Sequence, residues 1–159
     1  MALRCLFVVQ GEGRGHLTQA MALRRMLRDA GHRVAGVVVG KSDDQAVPAF
    51  FRAAFEAPVT DVESPGFVSD DADRSVRPWA TLRRALGRTP TYWRSLSALD
   101  AAIKRHDPDV VVNFFEPLMG LHAVTHSPSV PVVAVAHQYM FLHPAYRFPS
   151  GRRDKRWAA

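Results

Sequence analysis

Cysteine is nearly absent. Cys5 stands alone among 159 residues, so no disulfide can form within the chain. Its apolar neighbours place it in a strand as an inert buried thiol, and such sparing use of cysteine fits a reducing, cytoplasmic setting. Long hydrophobic runs are missing too: nothing approaches the ~18 uninterrupted apolar residues of a membrane span. The N-terminal stretch from Met1 to Val9 has neither a basic lead nor a small-residue cleavage site, and reads as a first strand instead of a signal peptide. Internal repeats and low-complexity segments are also lacking. Two nucleotide signatures fail. No glycine loop ends in Gly-Lys-Ser/Thr, which removes a nucleoside triphosphatase loop. The run Gly11-x-Gly13-x-Gly15 puts His16 where a dinucleotide fingerprint needs its third glycine. The second strand ends in Gly40-Lys41, with no acid to hold a ribose.

What is present is ordinary in amount and uneven in charge. Hydrophobic residues make up 47% and charged residues 23%, enough for one domain with a proper core. The net charge of +6 comes mostly from arginine, grouped at Arg24, Arg25 and Arg28, at Arg83, Arg84 and Arg88, and in the tail at Arg152, Arg153, Lys155 and Arg156. No recognition helix or RNA-binding signature accompanies these groups, so nucleic acid is not the expected partner and a solvated basic surface is the plainer reading.

Periodicity sets out the elements. Leu3 to Val9 is almost continuously apolar, as a strand covered on both faces should be. Ala20, Leu23, Leu27 and Ala30 mark one buried stripe of a helix from His16 to about Ala30, and Gly31 stops it. A valine-rich strand follows over Arg33 to Val39. Ser42 is expected to cap a short helix carrying Asp43 and Asp44 in its first turn, with Pro48 restarting or kinking the chain. Val59 to Val62 reads as a short third strand, and Glu63 to Arg77 as a loop. Trp79, Leu82 and Leu86 mark one helix. Tyr92, Leu96, Leu99 and Ile103 mark another, with Pro90 in its first turn. Asp109 to Asn113 is a buried strand, Leu118 to His126 a helix, and Val130 to Ala136 another buried strand. Strands alternating with helices predict an α/β fold: a Rossmann-like, open, mostly parallel sheet with helices on both faces.

The chemistry centres on Gly11-Glu12-Gly13-Arg14-Gly15-His16, between the first strand and the first helix. Glycines let a backbone approach a ligand closely, and a helix start offers free N–H groups to an anion. His16 adds a group that gains or loses a proton near neutral pH. It can serve as a general base, bind phosphate through its ring, or simply cap the helix. His122 and His126 lie four apart on a helix, but no third ligand stands at a persuasive spacing, so no metal is expected. His137 and Gln138 end a strand where open α/β sheets bind ligands, leaving ligand contact and a satisfied buried histidine both open.

Several motifs in order resemble one family. Gly15-His16-Leu17-Thr18, then Ala20-Met21-Ala22-Leu23, then Gly31-His32-Arg33-Val34 are similar to the N-terminal half of GT-B glycosyltransferases. The branch is that of UDP-glucuronosyl- and plant UDP-glucosyltransferases and of the lipid-linked N-acetylglucosaminyltransferase of peptidoglycan synthesis. Pro108-Asp109-Val110-Val111-Val112-Asn113 resembles their late strand, and Pro131-Val132-Val133-Ala134-Val135-Ala136-His137-Gln138 the next strand and its polar loop.

The resemblance implies a single acceptor-side domain over 1–148, with 149–159 a basic tail or the start of a linker. It implies His16 as the base that deprotonates an acceptor hydroxyl. The family's orienting acid falls near Asn113, an amide here, with Glu116 three residues on able to take that task. Gly11, Gly13, Arg14, Gly15, Thr18, His137 and Gln138 would meet ligand. No cofactor is implied, the nucleotide sugar being a substrate. Such enzymes have a second Rossmann-like domain that holds most of the donor pocket. The expected partners are therefore that missing C-terminal domain or subunit and a small-molecule or lipid-linked acceptor. The chain is expected to be inactive alone and cytoplasmic. The aromatic run Tyr139 to Phe148 leaves open either peripheral contact with the inner face of a membrane or packing against the partner domain. A non-catalytic binding or docking module for a phosphorylated or lipid-linked ligand is the competing class.

Overall fold

The computed structural model describes residues 1–12, 14–42, 46–65, 83, 87–136 and 143–147. Its elements run β1 (Arg4–Gln10), α1 (Arg14–Asp29), β2 (Arg33–Lys41), α2 (Ala49–Ala53), β3 (Val59–Glu63), α3 (Thr89–His106), β4 (Val110–Phe114), α4 (Pro117–His126) and β5 (Val132–Ala134). The strands form one sheet in the order β3-β2-β1-β4-β5, and every pairing is parallel. This is the Rossmann-like architecture that the alternation of strands and helices predicts.

Side-chain alternation along β1 divides the core. Cys5, Phe7 and Val9 face one side, where they join Leu17 and Ala20 of α1 and Phe51 of α2. Leu6 and Val8 face the other, against Leu96, Leu99 and Ala102 of α3 and Leu118 and Met119 of α4. A central strand with apolar residues at every position is the form that burial on both faces demands. Phe7 meets Phe114 edge-on at 5.0 Å and Phe55 at 6.1 Å, a preferred arrangement for aromatic quadrupoles.

The helix ends follow local chemistry. Gly31 takes φ 81°, its N–H donates to Arg28 O, and the His32 N–H reaches back to Leu27 O. That 6→1 and 5→2 pair closes α1 and turns the chain into β2. Pro90 sits in the first turn of α3, and Asp107 ends that helix in the left-handed region at φ 41°. Arg52 of α2 ties down β3 by donating to Val59 O at 3.0 Å and pairing with Asp61.

Pro48 restarts the chain as expected: it is extended at the N-cap (φ −57°, ψ 140°) and α2 begins at Ala49. The first turn expected after Ser42, with Asp43 and Asp44, lies outside the described residues. One expectation needs correction. The strand expected to be buried over Val130 to Ala136 is shorter, Val132–Ala134, and exposed throughout at the sheet edge. The helix marked by Trp79, Leu82 and Leu86, most of the loop to Arg77 and the tail from 149 lie outside the described residues. Among the described residues no helix is long and apolar enough to cross a membrane.

Candidate active site at the strand ends

From β1 the chain moves outward to β2 and β3, and from β4 it moves the other way to β5. The carboxyl ends of β1 and β4 therefore flank the point where strand order reverses, the usual ligand crevice of an open α/β sheet. The turn after β1 brings His16 there on the first turn of α1. The turn after β4 brings Phe115 and Glu116.

His16 is buried, with only 8% of its surface exposed. Its Nδ1 lies 3.2 Å from Gln19 Oε1, one helical turn on. Donation of Nδ1–H to that amide oxygen makes Nε2 the basic nitrogen of the neutral ring. The imidazole stacks on Phe115, with centroids 5.6 Å apart and planes 25° from parallel. Phe115 adopts φ 58°, a left-handed conformation that costs a bulky residue about 1–3 kcal/mol. Asn113 holds that turn from both sides. Its Oδ1 accepts from the Glu116 N–H at 2.8 Å and its Nδ2 donates to Glu116 O at 3.3 Å. An amide accepts from one backbone group and donates to the other, which an ionised carboxylate cannot do, and this gives Asn113 a reason to stand where the resemblance leads one to look for an acid.

Glu116 is 1% exposed and caps α4, its Oε1 accepting from the Leu118 N–H at 3.0 Å and from the Ser64 hydroxyl. Its Oε2 has no hydrogen-bond partner and faces the backbone of Gly40, where any Cβ would overlap the carboxyl group. Burial pushes its pKa from 4.5 up to about 7 despite the Ser64 and Leu118 bonds, and Glu12 adds repulsion. The carboxylic acid therefore changes charge near neutral pH.

The remaining expected residues have mixed placements. Gly11 donates its N–H to Gly40 O at 2.6 Å, and a Cβ there would come within 2.9 Å of Gly40 O and of Val39 Cγ1. Its need for glycine is close packing against β2. Arg14 and Gly15 are exposed at the start of α1, and the space a Gly15 side chain would enter is empty. Thr18 donates its hydroxyl to Arg14 O at 2.8 Å and so braces the same turn. Gly13, His137 and Gln138 lie outside the described residues.

The structure thus brings Asn113 and Glu116 together and sets both beside His16 through Phe115. Neither of their side chains bonds the imidazole: Asn113 holds backbone, Glu116 holds Ser64 and Leu118, and Gln19 is the described partner of Nδ1. Sequence reasoning missed Gln19, Phe115, Ser64 and Gly40. Gln19 was within reach, since a residue three on from a helical histidine shares its face. Among the described residues no group of three or more His, Cys, Asp or Glu is placed to hold a metal. His122 and His126 stack at 4.6 Å, and His122 Nε2 lies 3.2 Å from Asp100 Oδ1.

The fold matches known structures. The chain overlays on the crystal structure of MurG from Acinetobacter baumannii with a TM-score of 0.50 and 14% identity, over 84% of this chain and 34% of that one. It overlays equally well, at 0.50 and 21% identity, on the glycosyltransferase of kitacinnamycin, over 84% of this chain and 30% of the other. At these identities the likeness is one of fold, and the chain spans about a third of the length of either structure. No curated protein is close enough in sequence to count as a relative. A sequence profile described as glycosyl transferase family 1 matches residues 3–158, almost the entire chain. With that match added to a parallel sheet overlaying on GT-B enzymes, the chain belongs to glycosyl transferase family 1.

Proposed function

We propose that this chain is the acceptor-binding half of a nucleotide-sugar-dependent glycosyltransferase, with His16 as the general base. The observation that carries the reading is a buried imidazole at the switch point, on the first turn of α1, whose Nδ1 is held by Gln19. In the reaction an acceptor hydroxyl gives its proton to His16 Nε2, and its oxygen forms a bond to the anomeric carbon of the sugar. The bond from that carbon to the nucleotide breaks, and the nucleoside diphosphate leaves with the electron pair. Arg14 and the positive end of the α1 dipole suit the negative charge of the diphosphate or of an acidic acceptor. Phe115 stacks on the imidazole, and Asn113 fixes the turn that carries Phe115 through its bonds to the Glu116 backbone.

Most of the donor pocket belongs to a second Rossmann-like half, supplied by a C-terminal domain or a separate subunit. The acceptor is a small molecule or a lipid-linked one. Nucleotide-sugar turnover should therefore be negligible for residues 1–159 alone and appear when the second half is supplied. In that reconstituted enzyme His16→Ala should lower kcat on the order of 10²–10⁴-fold. A rate unchanged by the substitution would remove the base assignment, and turnover by the lone chain would remove the division of labour.

A further inference from the structure

A second cavity lies at the opposite end of the sheet from His16. It is a small groove of about 80 Å³ between the end of α1, the start of β2 and the loop joining α2 to β3, lined by Arg24, Arg28, His32, Arg33, Phe55 and Glu56 among others. The nine residues of β2 separate it from the strand-end crevice by roughly 25 Å.

Its walls are rich in donors and poor in acceptors. Arg24 lies over the Phe55 ring at 5.9 Å and uses Nη2 on Glu56 at 2.9 Å, leaving its other donors unspent. Arg28 directs Nε and Nη2 to the neighbouring Asp29 and keeps Nη1. The Arg33 guanidinium makes no hydrogen bond or ion pair among the described residues. His32 Nδ1 accepts from the Leu3 N–H at 3.2 Å, so the proton of its neutral ring stands on Nε2 as a further donor. Glu56 supplies the one carboxylate in the lining. Two of the last carbonyls of α1, Leu27 O and Arg28 O, accept from the His32 and Gly31 N–H groups.

We infer that this groove binds the phosphate group of a small anionic ligand, at a site separate from the crevice that holds His16. Guanidinium forks match phosphate oxygens in pairs, and the fixed imidazole N–H adds a directional donor beside them. The inference is independent of the proposed transfer reaction.

The probe is inorganic pyrophosphate, titrated at constant ionic strength into the 159-residue chain while the arginine Nε–H and histidine ring signals are followed by NMR. Saturable shifts at Arg24, Arg28, Arg33 and His32 are expected. The double variant Arg28→Glu/Arg33→Glu should weaken binding at least tenfold, and the milder Arg28→Gln/Arg33→Gln should weaken it by less. The control Arg94→Glu/Arg105→Glu changes the same charge on the exposed side of α3 and should leave the affinity within twofold. Shifts without saturation, equal loss in the control, or shifts confined to Arg14 and Gly15 would each overturn the assignment. So would co-sedimentation with phosphatidylglycerol vesicles in the absence of saturable pyrophosphate binding, since the basic groups would then be reading a lipid surface.

Discussion

Glu116 meets two demands that pull its charge in opposite directions. As the cap of α4 it is best ionised, because the Leu118 N–H and the Ser64 hydroxyl donate to Oε1. As a buried group with a bare Oε2 it is best neutral, and burial wins, with a pKa of about 7 against 4.5. The folded chain thus holds a proton that the unfolded chain releases. Below about pH 4.5 both states carry it and its stabilising contribution is complete. Between about 4.5 and 7 only the folded state does, so stability falls as pH rises, by about 3 kcal/mol in all, at about 1.4 kcal/mol per pKa unit. Above about 7 the loss is finished. Glu116→Gln keeps an acceptor for the Leu118 N–H and removes the proton, so urea midpoints measured at pH 5 and pH 8 should draw together. An undiminished pH slope in that variant would show that the carboxyl group is not its source. The place of His16 was legible at this scale, because a histidine behind glycines at a helix start is a local pattern; Asn113 was singled out as a holder of the imidazole, and it holds the Glu116 backbone instead. Phe115 was not, since nothing in Asn113-Phe114-Phe115-Glu116 announces a left-handed turn or a ring laid on a histidine from another element.

At the scale of elements, β5 is the strand whose sequence misleads. A run of valines after a proline reads the same whether the strand lies at the centre of a sheet or at its rim, because alternation is lost in both. The pairing decides: β5 bonds β4 on one side, while Val132 and Val133 stand 38% and 51% exposed. Leu121 and Val124 of the adjacent α4 are also exposed, at 44% and 81%. An apolar strand edge is a template for pairing with another chain, and charge placed on it blocks that pairing. Val133→Lys should therefore reduce concentration-dependent self-association of the isolated chain, as followed by light scattering. Its melting temperature should change little, because an exposed valine contributes little burial. Equal scattering by both proteins would mean that this edge is already shielded. By contrast β1, α1, β2 and α3 were legible nearly to the residue. Their ends carry local stops, among them Gly31, Pro90 and the Asp107-Pro108 pair, that act without help from the rest of the chain.

Over the whole molecule, one sheet serves two cores. Val39 belongs to the cluster beneath α1 and α2, and Leu99 to the cluster beneath α3 and α4. Val39→Ala should cost about 1.5–2.5 kcal/mol from two lost methyl groups and the space they leave. Leu99→Ala should cost about 2–5 kcal/mol. The sheet lies between the two sites and they share no side-chain partner. Their costs should therefore add to within about 0.5 kcal/mol, with unfolding still a single transition by circular dichroism and fluorescence. Two separated transitions would show that the halves fold independently. The fold class was readable because alternation of elements and burial of β1 on both faces are properties of the chain in order. The assembly of the site was not, because it depends on which strand ends finish side by side.

The closeness of Gly40 to Glu116 also ties the histories of two positions far apart in the chain. While a glutamate fills position 116, a Cβ at position 40 would overlap its carboxyl group, which would have to turn away from Ser64 and Leu118 to make room. A lineage that shortens the residue at 116 frees position 40 to vary, whereas one that changes position 40 first disturbs the cap of α4. The order of substitutions at the two positions therefore matters, and descendants of this chain that kept the acid should favour the glycine with it.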